Sequence, residues 1–477
     1  MPPFIATVIY AIVILGLFWL DRDREVRASK ALWVPVAWVL LAGSRPVTVW
    51  FVAKDPNYPP ERFLEANPTN EIIFSVLMLA ALIVLVNRRT TVIKLLRANG
   101  AVLLFFLYCG ISVLWSDYPG VAFRHWIRSL GDLVMILVVL TEADLSSAFK
   151  KLFTPPAFVF VPISILFIKY FPDLGRDYNE WTFVPTYRGV AINKNALGLA
   201  CLVFGLASLW CFLAARQVQR GGRRTRQLVA HGAVLFMVMW LFWMSNSMTS
   251  LCCFLMAGGL MVITTLSRSA RQPAVLHLLV AAVLCMPLIA LFSGAGVGMV
   301  QSLGRDATLT GRTNIWKVVL SVSGSPLVGS GFESFWLPGR LEPIWAQTMH
   351  GLQEAHDGYL EVYLNLGWIG VMLLGVLVVR GYRNVVAAVR RDPSVGGLKL
   401  ALFLTALAYN LTEAGFKMMS LVWISFLLVT SATPEAVVEK VSPMFGIEQI
   451  SSAPTEPQLE QASSGLHEEG TTCSSPS

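Results

Sequence analysis

The sequence predicts an all-α membrane protein, a polytopic transmembrane helical bundle of 12–13 spans with a large folded loop on its outer face. Three observations predict it. The 477 residues are 55% hydrophobic and only 14% charged, with a mean hydropathy of +0.62; a soluble domain carries about 25% charged residues. Apolar runs recur along the chain at a length of about 20 residues, enough to cross the hydrocarbon core at about 1.5 Å per residue. Lys and Arg gather in alternate loops.

The spans are expected near 4–20, 31–53, 71–86, 98–115, 124–140, 152–170, 195–214, 228–244, 250–266, 273–293, 360–379, 400–414 and 418–432. The first lacks the basic n-region of a signal peptide and reads as a retained span. The second is interrupted by "GSRP" at 43–46, a break that also suits a re-entrant segment. The last two are short and would also serve as one kinked hairpin, which makes twelve. No internal repeat is evident.

Seven cysteines are present: Cys109, Cys201, Cys211, Cys252, Cys253, Cys285 and Cys473. Six lie in apolar stretches, and the adjacent pair lacks metal-binding spacing, so neither a disulfide framework nor a zinc site is expected.

Charge orients the bundle. The loops around 21–30, 87–97, 150–151, 215–227, 267–272 and 380–399 carry 22 Lys and Arg, against 10 in the intervening loops. The positive-inside rule places the richer set in the cytoplasm and the N-terminus outside. It also accounts for the formal net charge of +8. No basic stripe interleaves with aromatics, so nucleic acid is not an expected partner. Residues 1–432 then form the bundle. The polar segment 433–477, poor in aromatics, is expected to be a disordered cytoplasmic tail.

Residues 294–359 form an outer loop far longer than a usual connection. It has sequence structure. In "GRTNIWKVVLSV", Ile315, Val318, Val319 and Val322 form an amphipathic stripe, which Thr310 or Thr313 would cap. "PLVGSGFESFW" follows, with glycines suited to tight turns. At the loop's end stands "EAHDGYLEVYLNLGWIG", where Glu354, His356, Asp357 and Glu361 crowd the mouth of a span. Such a histidine is either an interfacial group bonded to a backbone carbonyl or a working one. The crowding of acids and the length of the loop favour work.

Cations also collect on this side, where the rule disfavours them: Arg124, Arg128, Arg176, Arg188, Lys194, Arg305, Arg312, Lys317 and Arg340. Pairing with Asp173, Asp177, Glu180, Asp306, Glu333 or Glu342 accounts for some. The others suit a polyanion, because the guanidinium fork donates two parallel hydrogen bonds to phosphate. Arg188 and Lys194 precede a span beginning near Asn195, and Arg312 stands at the start of the amphipathic helix, where free N–H groups also favour phosphate. Glu413, in or beside the penultimate span, is an ionisable group where one is costly. It is either a partner of His356 or an i+4 ion pair with Lys417.

"LTGRTNIW", "SPLVGSGFESFW" and "EAHDGYLEVYLNLGWIGV" together resemble the signature region of the bacterial O-antigen ligase and O-antigen and exopolysaccharide polymerase superfamily. The ligase pattern of a His, usually Asn, Ser or Gln, nine residues, Gly, two residues, Gly is met by His356, Gly367 and Gly370, with Asp357 departing at the second position. "GSRP", "SVLWSDYPGVAFRHWIRSLGD", "YRGVAINKNALG" and "SNSMTSL" are similar to the exopolysaccharide-production members.

The resemblance implies a metal-independent, cofactor-free inverting glycosyltransferase with a periplasmic loop, in the bacterial inner membrane. Its donor would be an undecaprenyl-diphosphate-linked glycan, and its partners membrane lipid and polysaccharide export and chain-length machinery. His356 would be the general base, with Arg312 and Glu413 in the catalytic set. Arg188, Lys194, Arg124, Arg128, Asp357 and Glu354 would bind diphosphate or glycan. Polymerisation of repeat units is the first expectation and O-antigen ligation to lipid A-core the second. A lipid-linked glycan flippase is the rival of another class, although transporters commonly show repeats and midplane charges.

Overall fold

The computed structural model describes residues 1–22, 28–50, 68–178, 184–292, 309–348 and 351–433. The tail expected at 433–477 lies outside the described residues from 434 onward, as do residues 293–308 of the long loop with Arg305 and Asp306, and Glu180. The described chain is all-α save one short hairpin. Its helices are α1 (Pro3–Leu20), α2 (Trp33–Gly43), α3 (Pro68–Asn87), α4 (Arg89–Ala98), α5 (Gly100–Ser112), α6 (Pro119–Leu140), α7 (Leu145–Tyr170), the single turn α8 (Pro172–Gly175), α9 (Lys194–Gln217), α10 (Gly222–Ser245), α11 (Met248–Leu266), α12 (Pro273–Phe292), α13 (Leu309–Ser321), α14 (Leu341–Trp345), α15 (Gly358–Arg391), α16 (Pro393–Tyr409) and α17 (Leu421–Thr430).

Each expected span contains a helix, but length divides them. Among the described residues, α1, α3, α7, α9, α10, α11 and α15 are long and apolar enough to cross a membrane. The helices α4 and α5 make an eighth crossing if counted as one, bent by 84°. The apolar helices α2, α16 and α17 are shorter, as is the stretch Pro273–Met286 of α12. Burial separates centre from rim. The apolar windows of α7 and α9 are 78% buried and those of α1 and α3 only 11%, so the latter pair forms the lipid-facing edge. α7 stays helical through Pro155, Pro156 and Pro162. Neighbouring helices and hydroxyls compensate for lost backbone bonds in such a setting.

The break after α2 has a use. Arg45 of "GSRP" is buried, and its Nη2 donates to the carbonyls of Leu174 at 2.6 Å and Gly189 at 2.5 Å. It fixes the connection between α7 and α9. That connection contains the antiparallel pair β1 (Arg176–Tyr178) and β2 (Pro185–Tyr187), with Asp177 opposite Thr186. Asn193 then caps α9, its side chain accepting from the Ala196 N–H at 2.8 Å.

The long loop is folded where it is described. Val318 and Val319 are buried in a small core with Phe335, Ile344, Leu352 and Leu364, and Ile315 and Val322 pack on it. Thr310 and Thr313 lie inside α13 rather than at its cap. The loop docks on a break in α15. Gly367 has φ 63° and ψ −167°, a conformation that side chains exclude. A Cβ there would overlap the backbone of Leu327. The break frees N–H groups of α15 to bond the loop: Trp368 donates to Pro326 at 2.9 Å and Ile369 to Leu327 at 3.2 Å. In return, Ser330 and Gly331 donate to the carbonyls of Leu364 and Asn365.

Candidate catalytic centre

Three segments meet where the long loop enters α15. Asp357 caps that helix, Oδ1 accepting the N–H groups of Tyr359 and Leu360 at 2.9 Å each. His356, just before it, has φ +52°, a left-handed conformation costly for a residue with a Cβ. Its backbone is held at Ala355 from both sides. Trp316 of α13 donates to the Ala355 carbonyl at 2.9 Å, and the Ala355 N–H donates to buried Glu361 at 2.6 Å.

The second segment is the turn 410–420 between α16 and α17. Asn410 fixes it, its side-chain oxygen accepting the N–H groups of Gly415 and Phe416 at 2.8 Å. Gly358 donates to the Asn410 carbonyl and packs so close that a Cβ would overlap the Asn410 side chain. Further along, Met418 donates to Glu333 at 3.0 Å and Met419 to Asp132 at 3.0 Å. Glu333 and Met419 are also left-handed, at φ +47° and +58°. Of the four such non-glycine residues among those described, three therefore ring this one place. Strain of this kind persists only where surrounding bonds impose it.

The charges interlock. His356 Nδ1 lies 3.3 Å from Glu413 Oε2 and 3.3 Å from Glu354 Oε1. Each carboxylate is held from behind by a cation. Arg312 Nη2 is 3.3 Å from Glu413 Oε1, and Lys417 Nζ is 2.6 Å from Glu354 Oε2. Asn195, on the first turn of α9, donates to Glu413 Oε2 at 3.3 Å and supplies the third segment. A cavity of about 290 Å³ opens beside the group, lined by Asn193, Asn195, Glu354, Tyr409, Glu413 and Lys417 among others.

Burial alone would pull the His356 pKa down. The hydrogen bond with Glu413 and the charges of Glu354 and Glu413 outweigh it, and the imidazole sits above the ordinary histidine value. Burial pushes Glu354 up, but Lys417, His356 and Arg312 bring it below the usual range. A carboxylate pair on Nδ1 fixes the tautomer, leaving Nε2 as the ring nitrogen that can take a proton. Glu354, His356 and Glu413 also present three ligand atoms within 4.8 Å of one another. Arg312 and Lys417 already neutralise both carboxylates, so a divalent cation there would meet two positive charges at close range.

Of the residues singled out in the sequence, His356, Arg312, Glu413 and Glu354 come together here, while Asp357 is spent on capping. Arg188 turns instead to the hairpin, bonding Asp173 and approaching Asp177 at 3.9 Å. Lys194 lines a separate cavity of about 650 Å³ with Tyr187 and Trp243. Arg124 and Arg128 border another beside Phe74, Arg124 near Glu71 at 3.7 Å. Lys417 does not form the i+4 pair with Glu413, because 410–420 is not a helix. Sequence reasoning missed Asn195 as a partner of Glu413 and Glu361 as the anchor of Ala355. An acid at the first turn of a span was the available signal for Glu361.

Residues 232–375, which include Arg312 and His356, match the family described as O-Antigen ligase. The chain is 26% identical over 290 residues to the Exopolysaccharide production protein ExoQ of Rhizobium meliloti (strain 1021). That alignment covers 58% of this chain and 63% of the relative, so the chain spans under two thirds of the relative's length. In its polytopic helical fold, and in the matched segment that supplies Arg312, Glu354 and His356 of the centre, this chain is similar to the O-antigen ligase and polymerase superfamily.

Proposed function

We propose that this chain is a membrane glycosyltransferase of the bacterial inner membrane that polymerises undecaprenyl-diphosphate-linked oligosaccharide repeat units into exopolysaccharide at the periplasmic face. The observation that carries the reading is His356 Nδ1 between Glu354 and Glu413, each carboxylate backed by a cation. In the reaction, His356 Nε2 takes the proton of an acceptor hydroxyl. The freed oxygen attacks the anomeric carbon of the donor sugar, the bond from that carbon to the diphosphate oxygen breaks, and configuration inverts. The two carboxylates stabilise the imidazolium that forms, as a paired acid does for a histidine base. Arg312, paired with Glu413 of the cavity wall, meets the charge growing on the leaving diphosphate. Polymerisation is preferred because the aligned relative is named for exopolysaccharide production. The description of the matched family favours a second reading, ligation of a finished glycan to lipid A-core.

The test is reconstitution in liposomes with a lipid-linked repeat unit. Elongated glycan without any ion gradient supports the polymerase. Glycan that crosses without elongation would mean a flippase. Transfer only to a lipid A-core acceptor would mean a ligase. The face is tested separately. On a cysteine-free background, Gln347→Cys should react with an impermeant maleimide once the outer membrane alone is opened. Reaction only after the inner membrane is permeabilised places the loop in the cytoplasm.

A further inference from the structure

At the opposite end of the bundle, where the excess of Lys and Arg lies, a cavity of about 240 Å³ opens between α1, α2 and α7. Arg22, Lys150, Lys151 and Asp21 line it together with Phe18 and Trp33. Among its lining residues, three cations face one carboxylate. That carboxylate is already shared. Lys150 Nζ lies 2.8 Å and His231 Nε2 3.3 Å from the same Asp21 oxygen. Lys151 sits 4.1 Å over the Trp33 ring. Among the described residues that line the cavity, cations therefore outnumber carboxylates between apolar walls.

Position says what would neutralise it. α1 is on the lipid-facing rim, and Trp19 of α1 and Trp33 at the start of α2 are 61% and 50% exposed, as in an interfacial aromatic belt. Anything entering from the membrane meets aromatic surface first and cations next. Surface lysines alone follow from the positive-inside rule. A recess between three helices with aromatic walls does not, and basic pockets of this kind on the cytoplasmic side receive anionic lipid headgroups.

We propose that this cavity binds the phosphate of an anionic membrane phospholipid, held by Arg22 and Lys151 with the glycerol region against Phe18 and Trp33. The experiment uses the full chain in nanodiscs of phosphatidylcholine with or without phosphatidylglycerol. Phosphatidylglycerol should raise the unfolding temperature of the wild type, and the double variant Arg22→Gln, Lys151→Gln should lose that rise. Arg390→Gln, Arg391→Gln, at the same end but away from the cavity, should keep it. A rise preserved in the Arg22, Lys151 variant overturns the proposal. So does an equal rise from inorganic phosphate in phosphatidylcholine alone, which would assign the cavity to a free anion. Native mass spectrometry of the wild type stands independently of any variant. Preferential retention of phosphatidylglycerol is expected, and equal retention of both lipids rejects the site.

Discussion

Lys417 pairs with Glu354, 63 positions away at 2.6 Å, and not with Glu413 four residues before it. The pairing makes two carboxylate–cation couples, Glu354 with Lys417 and Glu413 with Arg312, and His356 lies between them. Its consequences can be measured.

The first concerns pH. A histidine base works only when neutral, so the rate should rise with pH through the His356 pKa. That pKa is raised, so the rise should be centred above the ordinary value of about 6.5. Glu354→Gln removes one of the charges that raise it, and the midpoint should move to lower pH. Initial rates of glycan elongation from pH 5 to 9 would show this. An unmoved midpoint in the variant would mean that His356 is not the titrating base.

His356 itself gives the second. His356→Ala and His356→Gln should both insert and fold, because Asp357 still caps α15. Elongation should fall by about 10²–10⁴-fold, the scale of a lost general base. Gln is the informative variant, since it hydrogen-bonds but cannot cycle a proton. Wild-type turnover in His356→Gln, at matched membrane abundance, would leave His356 a structural residue.

Arg312→Lys tests the third. Lys keeps the charge but loses the planar fork that would span Glu413 and a phosphate oxygen. A lost charge-stabilising donor typically costs about 2–4 kcal/mol of transition-state stabilisation. Single-turnover rates at saturating donor should drop accordingly. An unchanged rate would confine Arg312 to its ion pair with Glu413.

Stability supplies the fourth. Gly367→Ala forces a side chain into a left-handed break and onto the Leu327 backbone. The backbone penalty alone is about 1–3 kcal/mol. Gly375→Ala, with nothing within 4 Å of the added carbon, should be neutral or stabilising. Thermal unfolding of the two in detergent should separate them clearly. Equal unfolding temperatures would mean that the loop does not depend on the break.

Much of this was legible in the sequence, for identifiable reasons. Hydrophobic run length located the helices, because the bilayer imposes it along the chain. The placement of His356 at a span mouth was also local, written in one stretch of sequence. Partnership was not local. Glu354 and Lys417, or Asn195 and Glu413, meet only after α9, α15 and the 410–420 turn have packed, and no spacing rule connects them. By sequence Arg188 and Lys194 group with the centre, because charge counting assigns them to its side of the membrane. The structure directs one to the hairpin and the other to a neighbouring cavity. Asp357 carried a readable signal of its own, an acid immediately before a helix, which is a capping position.

The break at Gly367 divides α15 into parts governed by different surroundings. The part beyond it answers to the bilayer, where a change in hydrocarbon thickness is met by tilting. The nine residues before it, from Gly358 to Leu366, are bound to the folded loop through Ser330, Gly331 and Asn365. The first residues beyond it, Trp368 and Ile369, bond the same loop at Pro326 and Leu327, so the loop holds α15 on both sides of the joint. The position of His356 is therefore referenced to the folded loop, which also holds the neighbouring Ala355 through Trp316.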